Sequence, residues 1–169
     1  MKIAPGIVAV VVLAGCANAP SPYVADQGRD IKALSADETA SLLAGKGMGF
    51  AKAAELNGYP GPAHVLELAQ GLQLTDKQRT DTQALFDSMQ AKATALGREL
   101  VDEERRLDRL FASKAADAES LNAALARIGV LQGKVRGAHL EAHLAQARIL
   151  TPEQTARYVE LRGYSDHHH

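Results

Sequence analysis

Apolar residues recur along one stretch of the chain at steps of three, four and seven: Leu85, Met89, Ala93, Leu96, Leu100, Leu107 and Leu110. That spacing keeps one face of a long helix apolar. The pattern breaks near Ser113–Asp117. A second seam follows, at Leu121, Leu125, Ile128, Leu131, Val135, Ala138, Ala142, Ala145 and Ile149. No proline falls between Thr75 and Pro152. Two long seams joined by a short linker predict an antiparallel helical hairpin over residues 76–149. Residues 76–112 as one helix would extend about 55 Å.

Shorter elements flank the hairpin. Ser35-Ala36-Asp37-Glu38, Thr75-Asp76-Lys77-Gln78 and Thr151-Pro152-Glu153-Gln154 each have the form of a capping box, which marks a helix start. Pro152 occupies the first helical position, where its missing N–H costs nothing. Gly45, Gly47 and Gly49 weaken the helix around Met48, Phe50–Leu56 resumes helical character, and Asn57–Pro62 reads as a loop. Ala63–Leu72 reads as a short helix. The expected fold class is all-α.

Composition agrees. Of 169 residues 46 % are hydrophobic, yet only 4 % are aromatic and none is Trp, so the apolar weight is Ala, Leu and Val. Such a chain with 23 % charged residues suits long helices rather than a β-sandwich or barrel. The formal net charge of -1 excludes a strongly basic nucleic-acid binder, so no nucleic acid is expected as a partner. A single cysteine excludes an internal disulfide framework, a Cys-based zinc site and a CxxC redox pair.

That cysteine has another use. Lys2 precedes a short apolar run, Ile7–Leu13, which is too short to span a bilayer. The run ends in Leu13-Ala14-Gly15-Cys16, which looks like a bacterial lipobox. Residues 1–15 therefore read as a lipoprotein signal peptide, with Cys16 the lipidated first residue of a periplasmic chain. Ala17 at the next position favours the outer membrane over the inner, by resemblance to known lipoproteins. Residues 16–34 read as a tether, with a reach of roughly 25 Å if flexible. The helical domain spans 35–164 and a tail, 165–169, ends in three histidines.

The second long helix carries more apolar surface than one partner needs. Gly129, Gly133 and Gly137 recur every four residues, and Leu140 and Leu144 continue the stripe. Close approach by another helix would explain it, either residues 63–72 of the same chain or a second subunit in a homodimer.

Leu74-Thr75-Asp76-Lys77-Gln78 and Leu150-Thr151-Pro152-Glu153-Gln154 are two copies of LTxxQ, one on each side of the hairpin. Across residues 35–164 the chain resembles the Spy/CpxP family of periplasmic LTxxQ proteins, which includes heavy-metal-resistance members such as ZraP and CnrX. The resemblance implies a hooked, four-helix hairpin, often paired as a cradle-shaped dimer. It also implies an ATP-independent chaperone or envelope-stress protein. The partners would then be unfolded envelope proteins or a membrane sensor, with the lipid anchor holding the chain to the membrane. The alternative it implies is a heavy-metal sensor or buffer.

The residues themselves offer no catalytic motif. His139-Leu140-Glu141-Ala142-His143 lacks the glutamate directly after the first histidine that a zinc protease needs, so no enzyme is expected. His139 and His143 are nevertheless spaced to share a metal on one helix face. His64, Met48 and Glu67 are candidate further ligands, for a divalent Zn, Ni, Co or Cu. Alternatively the two histidines lie on a polar boundary of the helix. Within Arg98–Arg109, Asp102–Arg106 and Arg105–Asp108 are spaced for ion pairs.

Overall fold

A computed structural model describes residues 20–164. The signal segment, Cys16 and the histidine tail lie outside the described residues. Among the described residues six α-helices follow a 3-10 turn at Val24–Asp26: α1 Ala36–Leu43, α2 Lys52–Glu55, α3 Pro62–Glu67, α4 Asp76–Ala112, α5 Ala118–Gln146 and α6 Pro152–Leu161. There is no strand among the described residues. The long helices α4 and α5 pack antiparallel, and the short ones cover one end and one side of them.

The predicted helix starts form as the sequence implies. Ser35, Thr75 and Thr151 each accept a hydrogen bond from the backbone N–H three residues on, and Glu38, Gln78 and Gln154 each bond back. Asp117 and Ser120 make a fourth such box at the start of α5, which the sequence analysis did not single out. The turn between the long helices is closed by Lys114 in the left-handed region, at φ 60°.

The hairpin has two apolar clusters. The middle one holds Ile31, Leu42, Leu100, Val101, Ile128, Leu131 and Val135. The one at the base, where both chain ends of the hairpin meet, holds Val65, Ala69, Leu72, Leu74, Leu150 and Tyr158. In the middle cluster α1 lies unusually close to α4. A Cβ added at Gly97 would stand 2.2 Å from the carbonyl oxygen of Leu42. Only a glycine lets the two backbones approach so closely.

Several expectations need correction. The second helix ends at Gln146 rather than 149, because Ala147–Leu150 turn toward α6. The third helix ends at Glu67 rather than 72. Leu125 is 49 % exposed and stands off the seam. Residues 30–34 are no free tether: Ile31 is buried in the middle cluster, the backbone N–H of Lys32 donates to Asp108, and Arg105 pairs with Asp30. The ion pairs within α4 also differ, with Arg105 on Asp102 and Arg106 on Glu103. Asp108 pairs with Lys32, and a spacing rule within one helix does not see a partner from another segment.

The glycine stripe is not covered by residues 63–72. A Cβ at Gly129 or Gly133 would meet nothing within 4 Å, and one at Gly137 only the Glu141 side chain at 3.9 Å. Leu144 is 51 % exposed. α3 packs against the opposite, inward side of α5, where Ala138, Ala142 and His143 are buried.

Candidate metal centre

The two LTxxQ motifs close the base of the hairpin against each other. Leu74 and Leu150 are buried in the basal cluster. The Gln78 side-chain amide donates to Gln154 Oε1 at 2.7 Å and to the Ile149 carbonyl at 2.9 Å. Gln154 returns the bond to Gln78 Oε1 at 3.1 Å and donates to the Leu72 carbonyl. Each glutamine thus caps its own helix and ties it to the other. Deeper in, the buried Gln146 donates to Thr82 at 3.1 Å, bracing α5 on α4.

Beside this clasp lies a cavity of about 430 Å³, walled by the loop 44–51, by α2, by the start of α3 and by the facing sides of α4 and α5. The six histidines of the chain are His64, His139, His143 and the three in the tail. All three outside the tail line this cavity. They reach it from two elements, His64 on α3 and the i, i+4 pair on α5. Met48 and Met89 line it as well. Met48 is held in the left-handed region at φ 43° between Gly47 and Gly49, so the loop presents it at some conformational cost. Glu67 is exposed and lies outside the cavity. The carboxylate that faces these histidines is Glu55, on α2.

Glu55 is buried and heavily partnered on one side only. Its Oε1 accepts from Tyr158 at 2.6 Å and Tyr164 at 3.0 Å, and stands 3.2 Å from both Arg162 Nε and His64 Nδ1. Its Oε2 is buried without a hydrogen-bond partner. Burial pushes the carboxyl pKa up. Hydrogen bonds from Tyr158 and Tyr164, with the charges at His64 and His143, outweigh that and hold it below the usual glutamate value. The group is therefore an anion at neutral pH.

His143 Nδ1 donates to the Tyr59 carbonyl at 2.7 Å, since a carbonyl can only accept. In the neutral ring this leaves Nε2 with the lone pair. Gly61 keeps the space in front of it open. A Cβ there would lie 3.0 Å from His143 Nε2 and 3.5 Å from Glu55 Oε2. His139 is 4 % exposed, its ring stacked on Phe50 with centroids 6.1 Å apart, and its Nε2 has no partner. Burial, then the charge at His143, holds its pKa below the usual histidine value, so the ring is neutral near pH 7.

Unpaired buried nitrogen and oxygen atoms carry a cost of about 1–3 kcal/mol each. Two of the three buried side-chain atoms without partners among the described residues, His139 Nε2 and Glu55 Oε2, belong to residues that line this one cavity. The donor set of imidazole nitrogen, one carboxylate and thioether sulfur fits a first-row divalent metal. Among the described residues no three His, Cys, Asp or Glu side chains already stand at metal-holding spacing, so loading requires side-chain movement.

His64, His139, His143 and Met48, all expected from the sequence as candidate ligands, share this cavity. Glu55 was missed. Its only signal was a lone acid in Ala51–Leu56, where Lys52 is the one other charge.

No helix among the described residues is long and apolar enough to cross a membrane. No curated protein and no solved structure matches the chain. A family model described as heavy-metal resistance matches residues 39–157, from α1 through the hairpin and into α6, and both LTxxQ motifs fall inside that span. This chain belongs to the heavy-metal-resistance family, the Spy/CpxP-like LTxxQ proteins.

Proposed function

We propose that this protein is a periplasmic heavy-metal-binding protein, a sensor or buffer that takes a divalent transition metal into the cavity beside the LTxxQ clasp and is held to the membrane by lipid on Cys16. One observation carries the reading: all three histidines outside the tail converge on one cavity, beside a buried carboxylate oxygen with no partner. Proteins of this family are typically periplasmic, in keeping with the signal-like start of the sequence. His139, His143 and His64 supply imidazole nitrogen suited to zinc, copper or nickel, Glu55 supplies negative charge, and Met48 or Met89 supplies a soft thioether donor suited to copper.

The test uses the chain with its three terminal histidines replaced by alanine, so that the tail contributes nothing. Zinc titrated into this protein should give a saturable calorimetric signal and delay thermal unfolding, because a ligand of the native state stabilises it. Adding His139→Ala and His143→Ala should abolish both. Affinity should fall steeply below about pH 6, as imidazoles take up protons. Equal titrations for the two chains would eliminate the site.

A second reading, client shielding in the manner of a chaperone, draws on a different surface. Leu125, Val130 and Leu144 on α5 and Phe111 near the hairpin turn are all about half exposed. In the chaperone case the soluble domain suppresses aggregation of a denatured test protein at equimolar amounts, with or without metal. The same face is also where a homodimer would form, and sedimentation of the parent chain decides that point.

A further inference from the structure

Glu55 faces two ways. Its Oε2 is buried without a hydrogen-bond partner, 3.8 Å from His143 Nδ1, while its other oxygen is the anchor for the end of the described chain. Tyr158 comes from the buried side of α6. Gly163, at φ 70°, then turns the backbone so that the Tyr164 N–H bonds to the Val159 carbonyl at 3.0 Å. That turn is the usual left-handed close of a helix. It brings the Tyr164 hydroxyl back to Glu55 Oε1, where it also accepts from Arg162 at 3.1 Å. The Arg162 guanidinium lies 5.6 Å from the centre of the Tyr164 ring. Three side chains from seven consecutive residues thus close on one carboxylate oxygen. None of them lines the cavity.

An arrangement needed only to end a helix would not require this. The clasp at Gln78 and Gln154 already fixes the start of α6, and the backbone bonds of Arg162, Gly163 and Tyr164 complete its end. What the three side chains add is orientation. They occupy Oε1 and leave Oε2 toward His143 and the space before Gly61. Hydrogen bonds of this kind to a metal-binding carboxylate fix its rotamer and commonly alter affinity by one to two orders of magnitude.

Resting on the metal-binding reading above, we infer that Tyr158, Arg162 and Tyr164 form a positioning clamp on Glu55, so that a divalent cation entering the cavity and the docking of the C-terminal turn stabilise each other. The coupling is reciprocal. If the docked turn strengthens cation binding, the bound cation must hold the turn down by the same factor. The end of α6 then reports occupancy of a cavity it does not line, on a surface available to a partner.

The experiment uses the full chain with the three terminal histidines replaced by alanine, and zinc as the probe. Zinc should slow hydrogen exchange at the Arg162, Gly163 and Tyr164 amides in the parent. Tyr158→Phe with Tyr164→Phe should weaken zinc binding about tenfold, and in that variant zinc should no longer slow exchange there. Tyr164→Phe alone, a milder change at a half-buried position, should give a smaller loss in the same direction with the circular dichroism of the parent. Zinc affinity unchanged in both variants, or exchange at 162–164 indifferent to zinc in a parent that binds it, overturns the clamp and leaves the metal site standing. A parent that takes up no zinc overturns the metal site and the clamp with it.

Discussion

The middle of the hairpin and its base are built on opposite terms. In the middle, α1 and Ile31 close on α4 and α5 through aliphatic side chains, and Gly97 lets the backbones nearly touch. At the base the buried set includes His139, His143, Gln146, Thr82 and Glu55, and three of their polar atoms have no partner. The middle gains stability from the aliphatic groups it buries, and the charge it buries there, at Glu103 and Glu104, sits at its edge, Glu103 paired with Arg106 and the Glu104 carboxyl pKa pushed up by burial. The base forgoes some, because a neutral imidazole or a carboxylate out of water costs more than a methyl group. The difference teaches where to look for function: at the end where burial is expensive.

The largest expected effect breaks the middle. Gly97→Val would force the new side chain into the Leu42 backbone, which cannot move aside as a flexible side chain can. The loss should reach about 3 kcal/mol or more, the upper end for overpacking, read from urea unfolding. α1 should detach first, seen as fast hydrogen exchange over residues 36–43. A loss below 1 kcal/mol would mean that α1 does not pack on α4 as described.

The clasp comes next, because it is what holds the base together. Gln78→Ala and Gln154→Ala each remove the glutamine half of one capping box, leaving Thr75 or Thr151 as N-cap, together with one half of the amide pair. Each should cost about 1–2 kcal/mol. The double variant should cost less than the sum of the two singles, because each single already breaks the shared bonds. Strict additivity would show that the two motifs cap their helices independently and do not speak to each other.

These two regions were legible in the sequence to different degrees. The hairpin and the caps could be read because they depend on local rules: a period along one helix, a hydroxyl three residues before a glutamine. The first long helix, 76–112, keeps the predicted bounds for that reason. The pairing of Gln78 with Gln154 spans 76 positions, so both motifs were visible and their contact was not. The cavity was legible through its histidines, which are rare in this chain and chemically distinct. Glu55 was not. Acids are common, Glu67 lay nearer to His64 in sequence, and the choice between them depends on how the loop 56–61 turns α2 back onto α5. Ile31 was missed for the same reason, since one apolar residue in a polar stretch has no period to reveal it.

His139→Leu should sharpen the contrast by making the base behave like the middle. The substitution removes a buried nitrogen without a partner and keeps apolar volume against Phe50. It should raise stability at pH 7 by about 1 kcal/mol while weakening zinc binding. The pH dependence carries the sign. Burial holds the His139 pKa below its usual value, so the unfolded chain binds the proton first as pH falls. The stability this provides is complete above the unfolded pKa near 6.5 and is lost as pH drops through the folded value. The parent should therefore melt earlier at pH 5.5 than at pH 7.5, and His139→Leu should flatten that difference. An equal pH slope in the two proteins would place the protonation elsewhere.

The smallest effect concerns the glycine edge of α5, where Gly129 and Gly133 line a groove beside Leu42 and Leu100 of the middle cluster. Gly133 sits in a helix interior with nothing within 4 Å of where a Cβ would point. A glycine there gives up about 1 kcal/mol of helix stability relative to alanine. If the single chain is the whole assembly, Gly133→Ala should recover up to that amount, and Gly129→Ala should do the same. If a second copy packs on this face, the added methyl would meet its backbone. The same substitutions would then leave the helix content of the monomer intact and weaken association. Melting measured at two protein concentrations separates the outcomes. A gain independent of concentration marks an open face, and a loss that deepens on dilution marks a shared one. Either result bears on the comparison, because a face that a partner covers would make the middle of the hairpin a two-sided core, while the buried polar atoms without partners stay at the base.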